Sequence, residues 1–104
     1  MNFEIVEAVT LDEQGFVTLD QLALAAELPV EELRELVDDG ALAPVDPAAT
    51  SWTFTASWVV VARTAGRLRR DFELDAHSLS VVLRYVQRVE ALEAELRALR
   101  ARQG

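Results

Sequence analysis

His77 is the only histidine of the chain, and Asp71, Asp75, Ser78 and Ser80 lie within six residues of it. These are the residue types of a hydrolytic triad or a metal site, but neither chemistry follows. A triad needs a nucleophile held against its base by a scaffold, and Ser78 and Ser80 are ordinary residues for the start of a helix. One histidine with scattered carboxylates lacks the ligand spacing of a metal site. The chain has no cysteine, which removes disulfides, thiolate ligands and cysteine nucleophiles together. There is no phosphate-binding glycine loop and no paired acid–base frame. The expectation is a non-enzyme with no catalytic residue, no metal and no cofactor.

What remains is ionic chemistry. Glu31, Glu32, Glu35, Asp38 and Asp39 place five acids in nine residues, and these are the candidate partner-binding residues. One reading is a solvated face whose early acids simply suit a helix N-terminus. Asp38 and Asp39 fall near the helix C-terminus, where acids are unfavourable, and this points to a role beyond helix stability. The acids belong to a wider asymmetry. Residues 1–50 carry twelve acids against Arg34 alone, −11, while residues 51–104 carry nine arginines against six acids, +3, within a formal net charge of −8. DNA binding draws much of its affinity from neutralised phosphates, so an acidic half repels that ligand. No direct DNA binding is expected. A basic protein surface is the complementary partner.

The elements that position these acids follow from local signals. Residues 3–9 are rich in β-formers, with Phe3, Ile5 and Val9 on one face of a regular strand. Asp12–Gly15 is a turn and Phe16–Thr18 a returning strand, so 3–18 is expected as a hairpin. A first helix spans about 20–27, started either by Thr18 and Gln21 as a capping box or by Asp20 as an equally good N-cap, with Leu22, Ala23, Ala26 and Leu19 on its inward side. Pro29 suits the first turn of a second helix over about 30–39, with Leu33, Leu36 and Val37 inward and Gly40 as its stop. Two short helices and a tight turn make a helix-turn-helix. Residues 41–51 read as a loop and Trp52-Thr53-Phe54 as a short strand, together a wing. Trp52 and Trp58 are either wing anchors into the core or an exposed hot spot, with at least one expected in the core.

A third helix starts at Thr55 or Ser57 and reaches Phe72. Gly66 inside it costs about 1 kcal/mol against alanine and marks a close helix crossing. Arg63, Arg67 and Arg70 share a face of this helix and Arg69 does not. The cluster suits phosphate contact or internal pairing with Asp71, Glu73 or the acidic second helix, and the nearby acids favour a structural or protein-contact role. Asp75 caps a last helix that meets no proline or glycine before Gly104. Val82, Tyr85, Val89, Leu92, Leu96 and Leu99 recur at spacings of three and four, an a/d seam of about three heptads. This seam either folds back on the domain or pairs with a second copy; its narrow, leucine-rich stripe favours a homodimer. The expected division is a body over 1–75 and a dimerising helix over 76–104.

The order of elements, and the runs Trp52-Thr53-Phe54, Arg67-Leu68-Arg69-Arg70-Asp71-Phe72-Glu73-Leu74-Asp75 and Leu79-Ser80-Val81-Val82-Leu83, resemble the CbpM family of chaperone modulators. That family is MerR-like. The resemblance covers about residues 16–102. It departs in an extended N-terminal hairpin, and Glu27 stands where the family plan tends to have glycine. It implies a mainly α fold: a MerR-like winged helix-turn-helix with a short N-terminal β-hairpin and wing, and a long coiled-coil-like C-terminal helix. It also implies a partner, the J-domain of a DnaJ-like (CbpA-type) co-chaperone, whose stimulation of Hsp70 such proteins block. The competing readings are a MerR-like DNA-binding transcription regulator, which the acidic second helix opposes, and a module that only dimerises. The start of the chain lacks a basic region followed by an apolar run. The apolar stretch Trp58–Ala62 is far too short to span a bilayer. A cytoplasmic protein without membrane contact is expected.

Overall fold

The computed structural model describes residues 11–103, together with the backbone of residues 5–6 and 9–10. The chain runs β1 (Ile5–Val6), β2 (Val9–Thr10), β3 (Phe16–Thr18), α1 (Leu19–Ala26), α2 (Val30–Asp38), β4 (Thr53–Thr55), α3 (Ser57–Phe72) and α4 (Ala76–Gln103). The helix-turn-helix, wing strand and two following helices fall in the expected order.

The expected 3–18 hairpin takes a different form. β1 pairs antiparallel with β2, Ile5 opposite Thr10 and Val6 opposite Val9. The segment 16–18 pairs instead with β4, Phe16 opposite Thr55 and Thr18 opposite Thr53. The reason is burial: Val17 faces Phe54 across this ladder and both side chains are fully enclosed. The side chains of Phe3, Ile5 and Val9 lie outside the described residues.

Local chemistry accounts for the starts of α1 and α4. The Gln21 amide donates to Thr18 Oγ1 (3.1 Å) and the Thr18 amide to Gln21 Oε1 (2.8 Å), the reciprocal bonds of a capping box at α1. At α4 the Ser78 amide donates to Asp75 Oδ1 (2.7 Å). That backbone bond, then a Ser78 side-chain bond, then the charges of His77 and Arg69 hold the Asp75 carboxyl below its ordinary value. A carboxylate lowered in the folded state stabilises above its unfolded pKa, and the cap is lost only as pH falls through the folded value.

The core is one cluster. Leu22, Ala23 and Ala26 of α1 meet Leu33 and Leu36 of α2, Val59, Ala62 and Ala65 of α3, and Leu79 and Leu83 of α4. Both tryptophans are half-buried and packed against it. Trp52 also donates its indole N–H to the Pro47 carbonyl (3.1 Å), and the Val45 amide donates to Thr53 O (2.8 Å), which ties down the wing. Gly66 lies where α3 crosses the end of α1. A Cβ there would overlap the Ala26 carbonyl oxygen.

Helix α4 contributes only its first turns to this body. Leu79, Ser80 and Leu83 are its buried residues, and Gln87 Nε2 donates to the Ala41 carbonyl (3.0 Å). Every described residue from Arg88 onward is exposed. The stretch 88–103 runs on for about 24 Å at 1.5 Å per residue. The radius of gyration, 15.0 Å, accordingly exceeds the about 13 Å of a compact chain of this length.

Candidate functional site

The acids of α2 divide by angle. At about 100° per residue, Glu31, Glu35 and Asp38 fall on the side opposite Leu33 and Leu36. All three are exposed. Glu32 and Asp39 sit at the edge of that face and are engaged within the molecule. Arg69 Nε lies 3.4 Å from Glu32 Oε2, and Arg69 Nη2 donates to Glu32 Oε1 at 3.4 Å. Asp39 Oδ2 accepts the hydroxyl of Ser80 (3.1 Å), a residue only 2% exposed. A buried hydroxyl without such an acceptor would cost about 1–3 kcal/mol. The outward face is thus Glu31, Glu35 and Asp38 with Arg34 beside them.

The arginines of α3 behave in the opposite way. Arg70 Nη1 donates to the Ala26 carbonyl (3.0 Å), and Nη2 lies 3.6 Å from Glu27 Oε2. Arg69 closes on Glu32. The two arginines that turn toward the helix-turn-helix are therefore adjacent in sequence, although only one shares the face of Arg63 and Arg67. Their partners are Glu27 and Glu32, one in the turn and one on α2. Arg67 is exposed and Arg63 half-buried.

Beside the acidic face is an open groove of about 410 Å³ between the start of α1, Arg34 and the wing, with Thr18, Asp20 and Trp52 among its lining residues. His77 is exposed at the start of α4. Among the described residues, no three His, Cys, Asp or Glu side chains converge as a metal site would require. No helix among them is long and apolar enough to cross a membrane. The second surface is the seam of α4. Tyr85, Val89, Leu92, Leu96 and Leu99 are between 45 and 70% exposed, and Val82 is half-buried. Scattered exposed apolar residues are ordinary, whereas a continuous stripe of them is a candidate interaction surface.

Two engaged residues escaped the sequence. Ser80 and Gln87 each anchor α4 to a distant segment. The available signal was slight: a serine between Leu79 and Leu83 on a buried helical face.

A family model described as "MerR HTH family regulatory protein" matches residues 17–101. The chaperone modulatory protein CbpM of Escherichia coli O1:K1 / APEC is 32% identical over 85 residues, covering 82% of this chain and 84% of that protein. The chain belongs to the CbpM family. Another relative, the chaperone modulatory protein CbpM of Coxiella burnetii (strain Dugway 5J108-111), is 26% identical over 99 residues, covering 95% of this chain and 93% of that protein. The family match begins at Val17 and so takes in β3, the helix-turn-helix, the wing and almost all of α4. Within this CbpM-family fold, α2 occupies the place of a recognition helix and presents acids.

Proposed function

We propose that the chain modulates a chaperone system by binding a DnaJ-like, CbpA-type co-chaperone and masking its J-domain. The observation that carries this reading is the outward face of α2. Glu31, Glu35 and Asp38 remain exposed there after Glu32 and Asp39 have been tied to α3 and α4. The relatives' names supply the chaperone role, and the charge supplies the complement to a basic helix. The role is inhibitory and non-catalytic, by steric and electrostatic cover of the surface the co-chaperone offers to Hsp70 in the cytoplasm. The body over 1–75 makes this contact. The helix over 76–104 pairs two copies through Val82, Tyr85, Val89, Leu92, Leu96 and Leu99. The inward turn of Arg69 and Arg70 weighs against the alternative, a DNA-binding regulator.

The test is a calorimetric titration with the J-domain of the DnaJ-like co-chaperone from the same genome, at two salt concentrations. The expected result is binding that weakens as salt rises. The triple variant Glu31→Lys, Glu35→Lys, Asp38→Lys loses it by about 100-fold or more, because exposed attractions at three positions become repulsions. No heat at low salt with the unaltered chain removes this partner. Retention of duplex DNA by the unaltered chain would favour the regulator.

A further inference from the structure

The outward face of α2 has two edges, and they differ. At about 100° per residue, Glu32 and Asp39 stand about 260° and 240° round the helix from Leu33, and Arg34 about 100°. The first edge is closed by Arg69 of α3 and Ser80 of α4. The second edge opens on the groove between the start of α1 and the wing, and Arg34 is part of its lining. The acids of the face thus adjoin the groove along the Arg34 edge.

Arg34 is the one base in residues 1–50. Glu31 precedes it by three residues and Asp38 follows it by four, the spacings at which ion pairs form along a helix. Among the described residues Arg34 pairs with neither, nor with Asp20, the acid that also lines the groove. Its side chain is exposed, and its guanidinium donors are left to an outside group. The wing supplies the other wall. Trp52 is half-buried there, with its indole N–H bonded to the Pro47 carbonyl (3.1 Å), and Thr50 and Ser51 add hydroxyls.

A guanidinium is a planar fork that matches a carboxylate. The one acid in the lining, Asp20, lies in the first turn of α1, where the helix N-terminus favours its charge. A phosphate backbone would have to run past Glu31, Glu35 and Asp38 to reach Arg34, whereas a single carboxylate held in the groove need not. A base in the groove would meet Arg34 directly, and such a like-charge meeting is how an interface rejects a wrong partner.

We infer that the groove beside α2 takes an acidic side chain of the same basic co-chaperone surface that covers Glu31, Glu35 and Asp38, with Arg34 as its counter-ion and Trp52 as its apolar wall. The inference rests on the partner reading above and adds a second requirement to it. The partner's surface is basic with one acid at its border, and Arg34 turns away a surface that is basic throughout.

The test is a charge reversal at Arg34, an exposed residue outside the core. The J-domain of the DnaJ-like co-chaperone from the same genome is titrated by calorimetry into the unaltered chain, Arg34→Glu, Arg34→Lys and Asp20→Asn, with decalysine as a plain basic ligand. A face that only attracts positive charge would bind the J-domain more tightly after Arg34→Glu, and no more tightly after Asp20→Asn. The groove contact gives the opposite signs. Arg34→Glu weakens J-domain binding about tenfold, Asp20→Asn tightens it about twofold, and Arg34→Lys stays within about threefold of the unaltered chain. Decalysine meanwhile binds Arg34→Glu more tightly than the unaltered chain, because the face has become more acidic. J-domain binding that is unchanged or tightened by Arg34→Glu overturns the groove contact and leaves the acidic-face reading standing. Equal weakening of J-domain and decalysine overturns it too, since the loss then belongs to the whole face. No binding of the J-domain to the unaltered chain removes the partner and the groove contact together.

Discussion

The two helices of the helix-turn-helix end in the same turn. At the end of α1 the Glu27 amide donates to Leu24 O (3.2 Å) and the Leu28 amide to Ala23 O (3.1 Å). At the end of α2 the Gly40 amide donates to Val37 O (3.0 Å) and the Ala41 amide to Leu36 O (2.8 Å). Both are Schellman turns, and each requires a left-handed residue at the corner. Gly40 takes φ +81° without a Cβ penalty, whereas Glu27 takes φ +58° with one. The difference lies in what surrounds them. Nothing lies within 4 Å of a Cβ built on Gly40. At Glu27, α3 comes in over Gly66, and Arg70 one turn later binds both the Ala26 carbonyl and the Glu27 carboxylate. A corner that local chemistry disfavours is held by a helix some forty residues away, so an Arg-Leu-Arg-Arg run that could read as a nucleic-acid patch is a clasp.

Gly66→Ala should break this contrast most strongly. Its Cβ would meet backbone, so α1 and α3 must separate and Arg70 loses its reach. A loss of about 2–3 kcal/mol in urea unfolding is expected at fixed protein concentration. An unchanged midpoint would mean that α1 and α3 do not depend on the close approach at Gly66. Gly40→Ala tests the corner that has only local support. There is room for the methyl group but not for its φ, and about 1 kcal/mol of destabilisation is expected. A neutral result would show that the α2 turn can relax.

Glu27→Gly sharpens the comparison at the smallest scale. Left-handed strain is relieved, while the unfolded chain gains freedom and the exposed Arg70–Glu27 pair is lost. A net gain of about 0.5 kcal/mol is expected, again read from the urea midpoint. A loss larger than that would make the carboxylate, rather than the backbone bond from Arg70, the main hold on the corner.

Much of this architecture is legible in single residues. Thr18 and Gln21 announce the start of α1, Asp75 that of α4, Gly40 the end of α2 and Gly66 a close crossing. Each is a signal read within four residues or from one missing side chain. The acidic face was legible as five residues, but not that it divides. Glu32 and Asp39 are set apart from Glu31, Glu35 and Asp38 by their angle on α2 and by what α3 and α4 bring to that edge. The strand pairing is hidden from local signals for the same reason. Val17 has its apolar partner in Phe54, far beyond any turn that would announce it.

The sequence alone determined the helices and their caps, the opposition of an acidic first half to an arginine-rich second half, and the a/d stripe of α4. These depend on repeats of three to four residues and on charge, and neither needs the chain to be folded. Only the tertiary structure decided which charges stay on the surface. The bonds that settle it join residues 37 to 46 positions apart, from Arg69 to Glu32, Arg70 to Ala26, Ser80 to Asp39 and Gln87 to Ala41. Such pairs form only once the apolar faces have packed and set the distance and angle between helices. No local periodicity encodes that distance or that angle.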